Sequence, residues 1–305
     1  MADTDWLADM AVLHEMVSFL RNREGVLNDE VSAPTRKLCL RGTDNLRKAL
    51  SMRKREGRGL KICVSSNILD WNVLASFPYS QMFKQNEYVE KVWNPALGNP
   101  EIYLGKNIIW DIDNEECPMK AFEQAEQVCA YLMNKGYEPM MVFSGGKGFH
   151  IWLNENDSTE MVGKTFSDFW GDEIKEPHKK LSKYYQDVVL DVFDEATGEG
   201  MRKADKSPVY GQGIIGCPYS LHGKTGQIVW PLSVRDLQVL RALDRKSSII
   251  DIAVALHTQD NGQLWKTDLD YTENPLYYPP CHTVGPKAGD MEYRRGLPAW
   301  KGIDG

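Results

Sequence analysis

Two short apolar runs constrain this chain more than anything else in it. The first, Asn107-Ile-Ile-Trp-Asp-Ile-Asp113, delivers two aspartates one residue apart. The second, Phe143-Ser-Gly-Gly-Lys-Gly-Phe-His-Ile151, wraps a glycine-rich turn that carries Ser144, Lys147 and His150. Side chains alternate along a strand, so Asp111 and Asp113 share one face and Ile112 points into the core. Their Cα atoms stand about 6.5–7 Å apart on such a strand. Carboxylates that close repel each other unless a cation lies between them. Hard oxygen ligands of this kind suit Mg²⁺ or Mn²⁺. A glycine turn at Gly145, Gly146 and Gly148 can aim backbone N–H groups at phosphate. Metal carboxylates beside a phosphate cradle suggest chemistry on a nucleoside triphosphate.

A third constellation follows at Cys217-Pro-Tyr-Ser-Leu-His-Gly-Lys-Thr-Gly226. His222 and Lys224 flank a glycine, with Ser220 and Thr225 beside them. Small residues, donors and a cation in one turn again fit a polyphosphate. The GxxxxGK[ST] spacing is absent, so a P-loop ATPase is disfavoured.

Charge is distributed unevenly. The net charge is −7, yet residues 36–61 hold ten basic side chains against Asp44 and Glu56. That segment carries about +8 and the remainder about −15. Such a patch reads either as the solvated face of a helix or as a phosphate-backbone surface. Hydrophobic residues make up 42 % and charged residues 26 %, a balance that suits a soluble globular protein. No run of about 18 apolar residues exists, so no membrane span is expected. Met1-Ala-Asp-Thr-Asp-Trp6 lacks the pattern of a signal peptide, and a cytoplasmic protein is expected. Six cysteines are scattered without a CxxC pair. This argues against a zinc knuckle or a disulfide scaffold.

Periodicity predicts a helix over Trp6–Arg23, partial helix over 34–56 with Pro34 in its first turn, and a strand at Leu60–Val64. Pro95, Gly98 and Pro100 mark a loop. The clearest helix is Pro118–Lys135, stopped by Gly136. Strands are predicted at Pro139–Phe143, His150–Leu153 and Ile228–Leu232. Further helices are predicted at Tyr184–Phe193 and Val234–Leu243. Gly198–Gly216 reads as irregular, and the tail after Tyr277 has little pattern.

These motifs resemble those of the archaeo-eukaryotic primase superfamily, in particular the small catalytic subunit of archaeal and eukaryotic-type DNA primase. Gly105–Asp113 resembles its first motif, an apolar strand ending in DxD. Ser144–His150 resembles its second, with Lys147 where archaeal members carry arginine. Ser220–Gly226 followed by Val229–Ser233 resembles the segment after the third. Asp205, seventeen residues before His222, best matches the third carboxylate, with Asp191 and Asp194 as competitors. The zinc stem common between the first two motifs is replaced by the Pro118–Lys135 helix, and no structural zinc is expected.

The resemblance implies an α+β fold, with an RRM-like half on a mixed sheet packed against an N-terminal α/β unit. One catalytic domain over residues 1–305 is expected. Its N-terminal lobe would run to about 105, its metal- and nucleotide-binding half over 106–245, and an extension over 246–305. The implied activity is template-directed nucleotidyl transfer, making RNA or DNA primers from NTPs or dNTPs on single-stranded DNA. Asp111, Asp113 and Asp205 would hold two Mg²⁺ or Mn²⁺ ions. Ser144, Gly145, Gly146, Lys147, Gly148, His150, Ser220, His222 and Lys224 would grip the nucleotide. An accessory primase subunit or a helicase is the implied partner. The alternatives are a primer-dependent repair polymerase of the same superfamily, a non-catalytic DNA-binding scaffold, and a DxD glycosyltransferase.

Overall fold

The computed structural model describes residues 10–20, 22–28, 35–38, 42–55, 61–70, 102–114, 117–169, 177–199, 204–211 and 213–258. The first half runs α1 (Met10–Leu20), β1 (Gly25–Asn28), β2 (Thr35–Leu38), α2 (Thr43–Arg55), β3 (Lys61–Ser65), β4 (Asn67–Leu69), β5 (Tyr103–Lys106) and β6 (Ile109–Asp113). Then come α3 (Pro118–Asn134), β7 (Met140–Phe143), β8 (Gly148–Trp152), α4 (Glu155–Val162), α5 (Pro177–Thr197) and β9 (Ala204–Asp205). The last elements are β10 (Ile214–Gly216), β11 (Trp230–Pro231), α6 (Val234–Arg241) and α7 (Ile249–Thr258). The loop expected at Pro95–Pro100, the tail after Tyr277, Cys39 and Cys281 lie outside the described residues.

Among the described residues, five strands form a sheet in the order β11-β7-β8-β6-β9. The chain path β6-α3-β7-β8-α5-β9 through it is a split βαβ arrangement of RRM type. The α+β class agrees with expectation, but the mixed sheet does not. Every ladder in this sheet is antiparallel. The glycine turn makes β7 and β8 a hairpin, and α3 returns the chain so that β8 meets β6 head to tail. Strands β6 and β7, joined by the α3 crossover, run the same way, but β8 inserts between them and pairs antiparallel with both.

Strand alternation decides what each face of this sheet does. Trp110 and Ile112 are fully buried. The Trp110 indole N–H reaches the Val189 carbonyl of α5 at 3.0 Å. Phe149 packs on Phe122 of α3 with ring centroids 5.4 Å apart. The helical face is therefore apolar. On the opposite face, Trp152 meets Phe19 of α1 edge-on. Asp111, Asp113 and His150 share that second face.

The second layer is a four-stranded sheet in the order β10-β3-β1-β2. Its membership cuts across the expected boundary near residue 105. Ile214–Gly216 pairs with Cys63–Ser65, so a late segment completes the N-terminal sheet. Residues 35–38 form the edge strand β2 and not the first turn of a helix, because β2 pairs with β1. A Thr-Arg-Lys-Leu stretch suits a charged sheet edge. Helix α2 starts only at Thr43. Helix α3 begins with Pro118 and ends at Asn134, and Gly136 just past its Lys135 cap turns the chain away with a φ of +90°. Ser233 and Asp236 form a capping box that starts α6. No helix among the described residues is long and apolar enough to cross a membrane.

Candidate active site

The pocket lies between the two sheets. Lys61, Cys63, Asp111, Asp113, Ser144, Lys147, His150, Ile214, Ile215, Gly216, His222 and Val229 line it. Strand β6 supplies Asp111 and Asp113. It sits between β8 and β9, which place His150 and Asp205 directly opposite Asp111. Asp191 and Asp194 lie on α5 and are exposed there. The pairing of Asp205 with Asp111 separates it from those two.

The carboxylates are crowded. Burial, then the charge of Asp205, pushes the Asp111 carboxyl up to about 7. Burial and the Asp111 charge push Asp113 up to about 6. Asp111 Oδ1 is buried with no hydrogen-bond partner. The His150 Nε2 atom stands 3.4 Å from it. Burial outweighs the attraction of Asp113 and pushes His150 down to about 4, so this imidazole is neutral at physiological pH. Among the described residues, no three His, Cys, Asp or Glu side chains are grouped so as to hold a metal ion. Even so, an orphaned buried carboxylate oxygen beside mutually repelling carboxylates fits a divalent cation. Such an ion supplies the partner that Asp111 Oδ1 lacks.

The glycine turn is built more tightly than its sequence suggests. The Ser144 hydroxyl accepts from the amides of Gly146 and Gly148 at 3.1 and 3.2 Å. Those two amides therefore shape the turn through Ser144. Gly148 has no room for a side chain, since a Cβ would stand 1.9 Å from the Ile112 carbonyl oxygen. Gly145 adopts a φ of +72°. Lys147 projects exposed from the tip of the turn into the pocket.

The third constellation locks onto this turn. The Thr225 hydroxyl donates to the Gly145 carbonyl. The His222 Nδ1 atom lies 3.2 Å from the Thr225 hydroxyl oxygen and 3.4 Å from the Thr225 amide nitrogen, so Thr225 fixes the orientation of the ring. Nε2 lies over Gly146 and faces the pocket. Burial, with Lys61 next, pushes His222 down to about 4. Lys224 is exposed on the same turn and does not line the pocket. Ser220 is fully buried, and its hydroxyl donates to the Ile62 carbonyl at 3.0 Å. It ties this loop to β3 and does not line the pocket. Tyr219 just before it holds a φ of +67°, kept by a hydrogen bond from its backbone N–H to the Val229 carbonyl and by its ring between Phe19 and Trp230.

Lys61 is the residue that motif reading misses. It sits inside the basic run 36–61, where charge density alone marks it as a surface group. At the start of β3 it faces the pocket from the opposite sheet, close enough to favour the ionised form of Asp111. The apolar wall of Ile214, Ile215 and Gly216 was also illegible, because it depends on β10 joining β3.

Comparison with known proteins agrees with the motifs. No family model matches the chain. The DNA primase small subunit PriS of Pyrobaculum calidifontis is 29% identical over 175 residues, covering 45% of this chain and 54% of that protein. The same subunit of Pyrobaculum islandicum is 28% identical over 173 residues, with the same coverage. The resemblance is to archaeal DNA primase small subunits. The chain spans about half the length of these curated relatives. A solved structure, the polymerase domain of Mycobacterium tuberculosis Ligase D in complex with DNA, aligns with a TM-score of 0.46 at 14% identity. That alignment covers 85% of this chain and 90% of the other.

Proposed function

We propose that this protein is a primase-polymerase, a template-directed nucleotidyltransferase that builds primers from NTPs or dNTPs on single-stranded DNA. The observation that carries the reading is one pocket walled both by carboxylates and by lysines. Asp111 and Asp113 line it together with Lys61 and Lys147, with neutral His222 beside them. A triphosphate with its metal ions is the ligand whose charge suits both at once. A glycosyltransferase DxD site has no comparable need for these lysines.

In this reading Lys147 and Lys61 draw the phosphates in, and His222 carries its ring proton on Nε2 and donates it to a phosphate oxygen. Asp111, Asp113 and Asp205 would hold Mg²⁺ or Mn²⁺. The bound ions would neutralise the triphosphate and make the attacking 3′-hydroxyl more acidic. Neutral His150, packed against Asp111, limits the positions this carboxylate can take. The turn at Gly145–Gly148 and the loop at His222–Gly226 hold each other in place, so the phosphate donors are oriented before the nucleotide arrives. The basic segment gives the template contact, with Arg47 and Lys48 exposed on α2. An accessory primase subunit or a helicase that presents the template belongs to the same reading.

The test is synthesis by the purified protein on single-stranded DNA with Mn²⁺ or Mg²⁺ and labelled rNTPs or dNTPs, with and without a primer. Products without a primer are expected, and the labelled sugar reports the preference. Extension only from a primer would replace primer synthesis by repair-type polymerisation. Asp111→Ala and Asp113→Ala are expected to abolish synthesis while leaving the protein folded, since each removes a repelling charge. Full activity in either folded variant would overturn the metal assignment.

A further inference from the structure

Strand β9 is two residues long, and it carries Asp205. So short a ladder is a weak anchor for a carboxylate that must keep its place beside Asp111. The segment after it is stiff. Asp205 accepts from the amide and the hydroxyl of Ser207, both at 2.8 Å. A 3-10 turn follows at Ser207–Val209, and the Gly213 amide returns to the Tyr210 carbonyl at 2.7 Å. Gly213 packs so closely that a Cβ would stand 2.2 Å from the Ser207 carbonyl oxygen. The position of Asp205 is therefore set by whatever holds the far end of this turn.

That far end is Gly211, which is gripped on both sides. Its amide donates to the Ser182 hydroxyl of α5 at 2.8 Å. Its carbonyl accepts from Asn67 Nδ2 at 3.1 Å and from Lys106 Nζ at 3.3 Å. Lys106 is fully buried. Its other two donors go to the Ser66 hydroxyl at 2.9 Å and to Asn67 Oδ1 at 2.8 Å. Three donors meet three acceptors, which completes the capacity of an ammonium group. Lys106 and Asn67 are also directly paired across β5 and β4. Burying an ammonium is costly, and an apolar residue of similar length fills such a space more cheaply. Packing does not account for a lysine here, whereas holding a backbone carbonyl does.

We propose that Lys106 is a positioning residue for Asp205: with Asn67 it clamps the Gly211 carbonyl and so fixes the turn that carries Asp205 against Asp111. Lys106 stands five residues before Asp111 on the same stretch of chain. The clamp thus ties the segment that delivers one carboxylate to the turn that delivers another. It acts without touching the metal or the nucleotide. The inference rests on the reading that Asp205 helps to hold the metal.

The experiment is Mn²⁺ binding by the full chain without nucleotide, read from the electron paramagnetic resonance signal of free Mn²⁺. Four proteins are compared with wild type: Asp205→Asn, Lys106→Met, the double variant and Ser182→Ala. Asp205→Asn is expected to weaken binding. Lys106→Met is expected to weaken it about tenfold, as lost outer support of a metal ligand does. The double variant is expected to bind no more weakly than Asp205→Asn alone, because the two changes act through one group. A general loss of stability would lower the melting temperature but leave the Mn²⁺ affinity of the folded protein unchanged. Ser182→Ala loosens the same glycine from its other side and must weaken Mn²⁺ binding even if Lys106→Met fails to fold. Wild-type affinity in folded Lys106→Met, or in Ser182→Ala, overturns the clamp. So do additive losses in the double variant. Wild-type affinity in Asp205→Asn removes Asp205 from the metal set and overturns that reading, and this inference with it.

Discussion

Gly146 lies beneath the imidazole of His222, where a Cβ would come within 2.6 Å of Nε2. The contact works in two directions. The glycine leaves room for the ring, and the ring closes over the turn that presents Lys147. In Gly146→Ala the backbone has little reason to move, because Ser144 holds the amide. The imidazole must shift instead, and its Nε2 proton leaves the pocket. We expect the KM for the nucleotide to rise about tenfold, the equivalent of roughly 1.4 kcal/mol and typical of one lost charge-assisted hydrogen bond. The melting temperature should hardly change. Steady-state kinetics at varied nucleotide concentration would check this, and an unchanged KM would show that His222 makes no nucleotide contact. Gly148 has a different role despite its place in the same turn. Its missing side chain accommodates the neighbouring strand and not a ligand.

Strand β8 pairs with β6 from Trp152 to Gly148, and the last pair sets Gly148 opposite Asp113. A methyl group at Gly148 would collide with the Ile112 carbonyl and separate the strands at the point where the carboxylates are presented. Gly148→Ala is expected to cost about 3 kcal/mol or more, at the severe end for a single substitution, because backbone and not a flexible side chain must give way. Urea unfolding would measure it, and a loss below about 1 kcal/mol would mean that the hairpin slides to accommodate the change. The elements flanking this hairpin were legible because their signals are local. Pro118, the Phe122–Leu132 apolar face and Gly136 specify α3 without help from the rest of the chain. The period-two pattern at Asp111–Asp113 likewise places both carboxylates on one face. What the sequence hid depends on pairing between distant segments. Strand β9 is two residues in a stretch that reads as irregular, and only its partner β6 makes it a strand. Thr35–Leu38 follows a proline that suits a helix start, yet β1 recruits it as an edge. Ser220 has a side chain suited to phosphate, and only the nearby Ile62 carbonyl shows that it serves the core.

At the scale of the whole molecule, the two sheets enclose charges that oppose one another, and pH separates them. An acid whose pKa is raised by folding binds more protons in the native state than in the unfolded state, so stability falls as pH rises through that range. Asp111 and Asp113, raised from 3.8 to about 7 and about 6, therefore destabilise the metal-free protein progressively between about pH 4 and pH 7. His150 and His222, lowered from 6.5 to about 4, act in the opposite sense and add stability as pH rises towards 6.5. Lys106, lowered from 10.5 to about 7 by burial and then by Arg23, adds stability above pH 7. The raw pH profile is thus a near-cancellation, and the difference between wild type and Asp111→Asn isolates the carboxylate. Metal-free Asp111→Asn should melt several degrees above wild type at pH 8, where the wild-type carboxylate is ionised and repelled. At pH 5 the wild-type carboxyl is protonated and resembles the amide, so the two proteins should melt together. Mn²⁺ competes with the same proton. At a hundredfold excess over its Kd it should stabilise wild type by about 2.7 kcal/mol at pH 8, or roughly 4 °C for a domain of this size. It should do little at pH 5 and little for Asp111→Asn at either pH. Calorimetry of both proteins at both pH values, with and without Mn²⁺, makes the comparison. A Mn²⁺ shift of equal size at pH 5 and pH 8 would mean that the ion binds away from these carboxylates, and the proposed metal centre would have to move with it.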